Sequence, residues 1–368
     1  MERSFLNRPL SVALDFARFG AALLVALGHA VQLGLYGGDF PFGVRMQHYC
    51  VTVFFVLSGL VIASSVSGGR SDLRRFAISR ISRILPVAVP ALLFGLLSAY
   101  VLAGAHHVPI DNSPEGAAEV AERFLPPLAF VSAWPGMPAP VWNPPYWSLC
   151  YEVWYYAIFA LAFFLRGWGR YVATGLACLT AGPSILLLMP VWLVGVMLAR
   201  GGLAWRVPLG TAPLVLVGCL WLVVQLFEVD MAVLIPLLKA WWPFELKWSV
   251  WAIADLAMAL IMALAVMAVR PLVAAFEPQV MQLRGIAQAL AGFSFTLYLF
   301  HWPLIQLMRS WGLGGTKSPL IFIGLLVCVV GACAAISVLT ERQSPRLRRW
   351  MEARFPPRGN LPGGVLPA

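Results

Sequence analysis

Charge is scarce in this sequence. Only 11% of its 368 residues are charged, against about 25% in soluble domains. Apolar side chains make up 60% and mean hydropathy is +0.81. A water-solvated core has no room for that much apolar surface, so a soluble globular fold is excluded and the bilayer must serve as solvent. Metal-type cysteine pairs are lacking too. Cys50, Cys150, Cys178, Cys219, Cys328 and Cys333 show no zinc-ligand spacing and read as reduced, buried small hydrophobes. The five histidines are dispersed, and the adjacent His106 and His107 have no partner spacing, so no metal is expected. Internal repeats and low-complexity runs are also missing.

What the chain does have is long apolar runs. A helix needs about 20 apolar residues to cross the hydrocarbon core. Candidate spans fall at 10–34, 47–67, 84–104, 146–165, 171–182, 184–199, 207–226, 248–269, 288–308 and 318–340. The fold class expected is an all-α, polytopic transmembrane helical bundle of about ten spans. The first apolar run contains Asp15 and Arg18 and precedes no small-residue cleavage site, so it reads as a transmembrane helix rather than a cleaved leader. The fifth and sixth spans are short, and the Gly182-Pro183 pair between them is the weakest boundary.

The net charge of +10 reads as topology rather than as nucleic-acid binding. With the N-terminus inside, 19 of the 26 Lys and Arg residues fall in cytoplasmic segments and 6 in outer loops, with Arg18 in the membrane. Both termini are therefore expected in the cytoplasm. Residues 1–345 form the transmembrane domain in this reading, and 346–368 a basic, Pro/Gly-rich cytoplasmic tail.

Ionisable residues inside spans are functional candidates, because each is costly in hydrocarbon. Arg18 and His29 share the first helix, 11 residues apart. That spacing is about 20° past three turns, so both face one way, separated by about 16 Å along the axis. Guanidinium suits phosphate, and imidazole suits proton transfer near neutral pH. The bland alternative pairs Arg18 with Asp15 and gives His29 a neighbouring helix to bond. Glu152 and His301 lie at about the same depth as His29, roughly 7–12 Å below the outer boundary. A shared polar cavity would let the Glu152 carboxylate orient the His29 imidazole. Asp255 has no evident partner and reads as a structural hydrogen bond.

Arg70, Arg74, Arg75, Arg80 and Arg83 precede Pro86 in a cytoplasmic segment whose bases are all arginine. Membrane-surface anchoring is one explanation. Bidentate phosphate binding is the other, and it favours a phosphorylated ligand such as coenzyme A.

In order along the chain, these pieces resemble the acyltransferase 3 family of bacterial inner-membrane proteins. Arg18 and His29 are similar to its Arg-X10-His pattern. Residues 53–60, Val-Phe-Phe-Val-Leu-Ser-Gly-Leu, look like its FFVLSGF stretch, and Arg74 to Arg83 like its basic motif. Residues 146–152, Tyr-Trp-Ser-Leu-Cys-Tyr-Glu, are similar to WSLSVE, and 293–303 to SYSLYLxHxP. Glu341, before Pro345, resembles a C-terminal acidic-Pro motif. Cys50, Thr52 and Cys150 depart from the pattern, Thr52 standing where an acidic residue is common.

The resemblance implies a multi-pass protein of the bacterial inner membrane. It would use acyl-CoA, with acetyl-CoA the expected donor, and a carbohydrate or glycolipid acceptor, with no nucleic acid. It implies that Arg18, Arg74, Arg75, Arg80 and Arg83 hold the donor. His29 would act as base or acyl carrier, oriented by Glu152. Ser148, Trp147, Tyr298 and His301 would meet the acceptor. Two rivals are a glycoconjugate or metabolite exporter, for which inverted repeats are missing, and a membrane scaffold, which needs no Arg and His aligned on one helix.

Overall fold

The computed structural model describes residues 5–40, 45–66, 72–104, 117–138, 140, 142–201, 206–242 and 245–356. Its helices are α1 (Arg8–Gln32), α2 (Arg45–Val66), α3 (Leu73–Gly104), α4 (Ala117–Leu128), α5 (Trp147–Phe164), α6 (Gly167–Ala199), α7 (Ala212–Val229) and α8 (Ile235–Trp241). They continue with α9 (Ala252–Ala275), α10 (Glu277–Gln282), α11 (Arg284–Ala291), α12 (Ser294–Ser310), α13 (Pro319–Leu339) and α14 (Ser344–Arg354). Among the described residues no strand forms, as expected where every backbone group must be satisfied within its own segment.

Helix starts follow local chemistry. Asn7 has extended backbone and accepts from the Leu10 N–H at 2.9 Å, with Pro9 in the first turn. Ser318 caps α13 in the same way, followed by Pro319.

Eight helical segments among the described residues are long and apolar enough to cross a bilayer. The chain is a multi-pass membrane protein. Within α6, residues 171–182 and 184–199 are two helices that meet at a kink at Gly182, where φ is +81°, the boundary expected from the Gly182-Pro183 pair. One place differs from the sequence expectation. The 288–308 stretch divides between the end of α11 and α12, a helix of 17 residues. The basic C-terminal region is helical over Ser344–Arg354, and α14 packs against α3.

The outward faces are apolar. Leu214, Val217 and Leu220 on α7 and Leu320, Ile323 and Val327 on α13 are exposed, a distribution that water would penalise and lipid accepts. Inside, α2 and α6 approach to backbone contact. A Cβ on Gly59 would strike the Trp192 carbonyl, and one on Gly195 the Val56 carbonyl. Small residues permit this close approach, which drives helix association in lipid. Gly195→Val is expected to destabilise the bundle by at least about 1–3 kcal/mol through overpacking. A lower thermal midpoint and a smaller monodisperse yield in detergent would register it; unchanged values would contradict the close contact.

Candidate active site

Arg18, Arg80 and Arg83 line one cavity between α1, α2, α3, α5 and α12. Glu152 lines the cavity with them, and the Asp15 and Glu341 carboxylates lie close enough to interact with Arg18 and Arg83. Asp15 reaches Arg18 only at 3.9 Å, so the ion pair that could have explained Arg18 away is a loose one. Arg80 also lies over the Tyr156 ring at 5.8 Å.

Hydrogen bonds around Glu152 run in one direction. The Trp192 indole N–H donates to Ser58 at 3.2 Å. Ser58 and Tyr156 hydroxyls are 2.9 Å apart, and the Tyr156 hydroxyl donates to Glu152. Tyr156 has a single proton, so Ser58 donates to it. Glu152 is thereby held as an acceptor at the end of a fixed chain.

Ser148 and Tyr298 also line the cavity. The Tyr298 hydroxyl donates to the Pro145 carbonyl at 2.9 Å and lies 2.7 Å from the Ser148 hydroxyl. One turn along α12, the His301 ring lies 6.3 Å from that of Tyr298.

His29 and His301 meet directly, with Nδ1 of His29 2.7 Å from Nε2 of His301. Their rings are nearly parallel, at 6°. The proton positions follow from the third partner. Nδ1 of His301 is 3.0 Å from the Leu297 carbonyl, which can only accept. His301 therefore carries its proton on Nδ1 and presents a lone pair at Nε2. His29 donates its Nδ1–H to that lone pair, and its own Nε2 is left as a base. Trp302 closes the other side, its ring edge-on to His29 at 4.9 Å.

The residues singled out from the sequence thus fall into groups. Arg18, Arg80, Arg83 and Glu152 share the cavity with Ser148 and Tyr298. His29 and His301 pair with each other. Glu152, expected to orient His29, has Tyr156 as its hydrogen-bond partner, and the His29 ring meets His301 instead. Arg74 donates to the Glu352 carbonyl on α14 at 2.9 Å, and Arg75 lies 3.7 Å from Asp72. Neither lines the cavity. Trp147 packs on His48 and Trp248.

Glu341 caps α12, accepting from the Thr296 N–H at 2.9 Å. His106 and His107 lie outside the described residues. Among the described residues no cluster of three or more His, Cys, Asp or Glu side chains is arranged for a metal ion.

Sequence reasoning misses Tyr156 and the pairing of His48 with Asp255. The first had a signal, since Tyr156 is four residues after Glu152 and so on its face of α5. His48 lies inside a predicted span, where any imidazole merits a role.

A family model described as an acyltransferase domain matches residues 11–338, nearly the whole chain. No curated protein and no solved structure matches it.

Proposed function

We propose that this chain, which belongs to the acyltransferase 3 family, moves an acyl group from acyl-CoA, with acetyl-CoA as the donor we favour, to a hydroxyl of a carbohydrate-type acceptor at the outer side of the bacterial inner membrane. One observation carries the reading. The His29–His301–Leu297 chain leaves Nε2 of His29 as an oriented base on the helix face that also carries Arg18.

Arg18, Arg80 and Arg83 hold the donor's phosphates, and an extended thioester arm covers the roughly 16 Å from Arg18 to His29. Nε2 of His29 takes the proton of the acceptor hydroxyl as its oxygen attacks the thioester carbonyl. The C–S bond then breaks, and His29 returns that proton to the departing thiolate. His301 accepts the Nδ1–H throughout and stabilises the imidazolium between the two transfers, a part that carboxylates play in other acyl-transfer sites. The Trp302 indole N–H is buried beside His29 with no hydrogen-bond partner among the described residues, which suits a donor to the developing oxyanion. Excess Lys and Arg on the inner side supports cytoplasmic termini.

The test is thiol release from acetyl-CoA by the purified chain, with binding measured separately. Binding without release in the wild type would sink the transferase reading and favour a carrier. His301→Ala is expected to lower kcat about 10–100-fold with little change in KM, because His29 loses its orienting partner but keeps its nitrogen. A KM effect alone would assign His301 to substrate binding instead.

A further inference from the structure

A third histidine in the bundle is held by both hydrogen bonding and ring packing. His48 lies on α2, one turn before Thr52. Its Nε2 is 3.0 Å from Oδ2 of Asp255 on α9, and Oδ1 of that carboxylate accepts from the Thr52 hydroxyl at 2.7 Å. A carboxylate at that distance takes an N–H, so a neutral His48 keeps its lone pair on Nδ1. Aromatic rings fix the imidazole as well. Trp147 lies parallel to it at 5.9 Å, and Trp251 packs on it at 4.7 Å. Trp248 stacks on Trp147 in turn, at 5.1 Å. Among the described residues no hydrogen-bond partner meets Nδ1.

Burying a carboxylate, an imidazole and a hydroxyl together is expensive in hydrocarbon, and apolar side chains would pack there at lower cost. The dyad is also tied to the reaction centre twice. Trp147 precedes Ser148, which bonds Tyr298 one turn from His301. Gln47, the residue before His48, packs against Gly28, the residue before His29.

We propose that the Asp255–His48 dyad is a hydrogen-bonding subsite for a hydroxyl-bearing acceptor. Nδ1 of His48 accepts from one acceptor hydroxyl and fixes the molecule while His29 works on another. The stacked rings serve to aim the imidazole, since their faces are taken up by one another. The proposal rests on the acyl-transfer reading above.

Two measurements on the full chain in detergent decide it, with methyl α-D-glucopyranoside as the probe. The first is carbethoxylation by diethyl pyrocarbonate, read by mass spectrometry. His48 is expected to react at its open nitrogen, and the glucoside to slow that reaction at least threefold. The second is acetyl transfer to the glucoside. His48→Phe keeps a ring in the column and is expected to raise KM for the glucoside about tenfold, the loss of one hydrogen bond, with kcat changed much less.

An unreactive His48 in folded wild type, or one indifferent to the glucoside, overturns the subsite. So does an unaltered KM in folded His48→Phe protein. If the wild type releases no thiol from acetyl-CoA, the transferase reading fails instead, and the carbethoxylation result still decides whether His48 meets a hydroxyl ligand.

Discussion

His29→Ala protein is expected to bind acetyl-CoA with an affinity within about threefold of wild type and to turn it over 10²–10⁴-fold more slowly, the usual range for loss of a positioned acid–base group. The separation of the two effects follows from geometry. The donor's phosphates are assigned to the cavity lined by Arg18, Arg80 and Arg83, which does not include His29. The substitution removes the only atom with a free lone pair in the His29–His301–Leu297 chain and leaves the arginines untouched. Equilibrium binding and single-turnover thiol release, measured on one preparation, check both halves. Wild-type turnover by a well-folded variant would remove His29 from the chemistry.

Arginine substitutions are expected to sort by position. Arg80→Ala and Arg83→Ala should each weaken acetyl-CoA binding by about 10–100-fold, since a hydrogen bond to a charged group is worth about 1.5–3 kcal/mol. Arg74→Ala and Arg75→Ala should change it by less than about threefold, because Arg74 ties α3 to α14 and Arg75 lies beside Asp72 at the helix start. Titration calorimetry of the four variants would show the split. Equal losses at all four positions would mean that the whole segment binds the donor. Equal indifference would leave the segment an anchor for anionic lipid.

Much of this arrangement is legible along the chain. Apolar run length gives the membrane helices, and the 11-residue interval gives the common face of Arg18 and His29. Depth brings His29 and His301 to one level, but depth says nothing of neighbours. Glu152 lies at that level as well, and only the helix order decides that α12 rather than α5 supplies the partner of His29. The same holds for His48 and Asp255, which lie 207 residues apart.

The departure at Thr52 becomes intelligible in three dimensions. Its hydroxyl bonds the Asp255 carboxylate, so a neighbouring helix supplies an acid where a relative would carry one on α2. A linear motif cannot show that exchange. The four arginines from Arg74 to Arg83 look equivalent in sequence; the packing of α14 against α3 sets Arg74 apart, and Asp72 at the helix start sets Arg75 apart.

The hydrogen bond between His29 and His301 joins residues 272 positions apart. As a ribosome feeds the chain into the membrane, α1 is among the first helices to enter and α12 among the last. His29 therefore waits, unoriented, until nearly the whole polypeptide has been inserted. A nascent or truncated chain carries His29 but not the partner that fixes its ring. The His29–His301 contact is a late event of biogenesis, made only when the bundle closes.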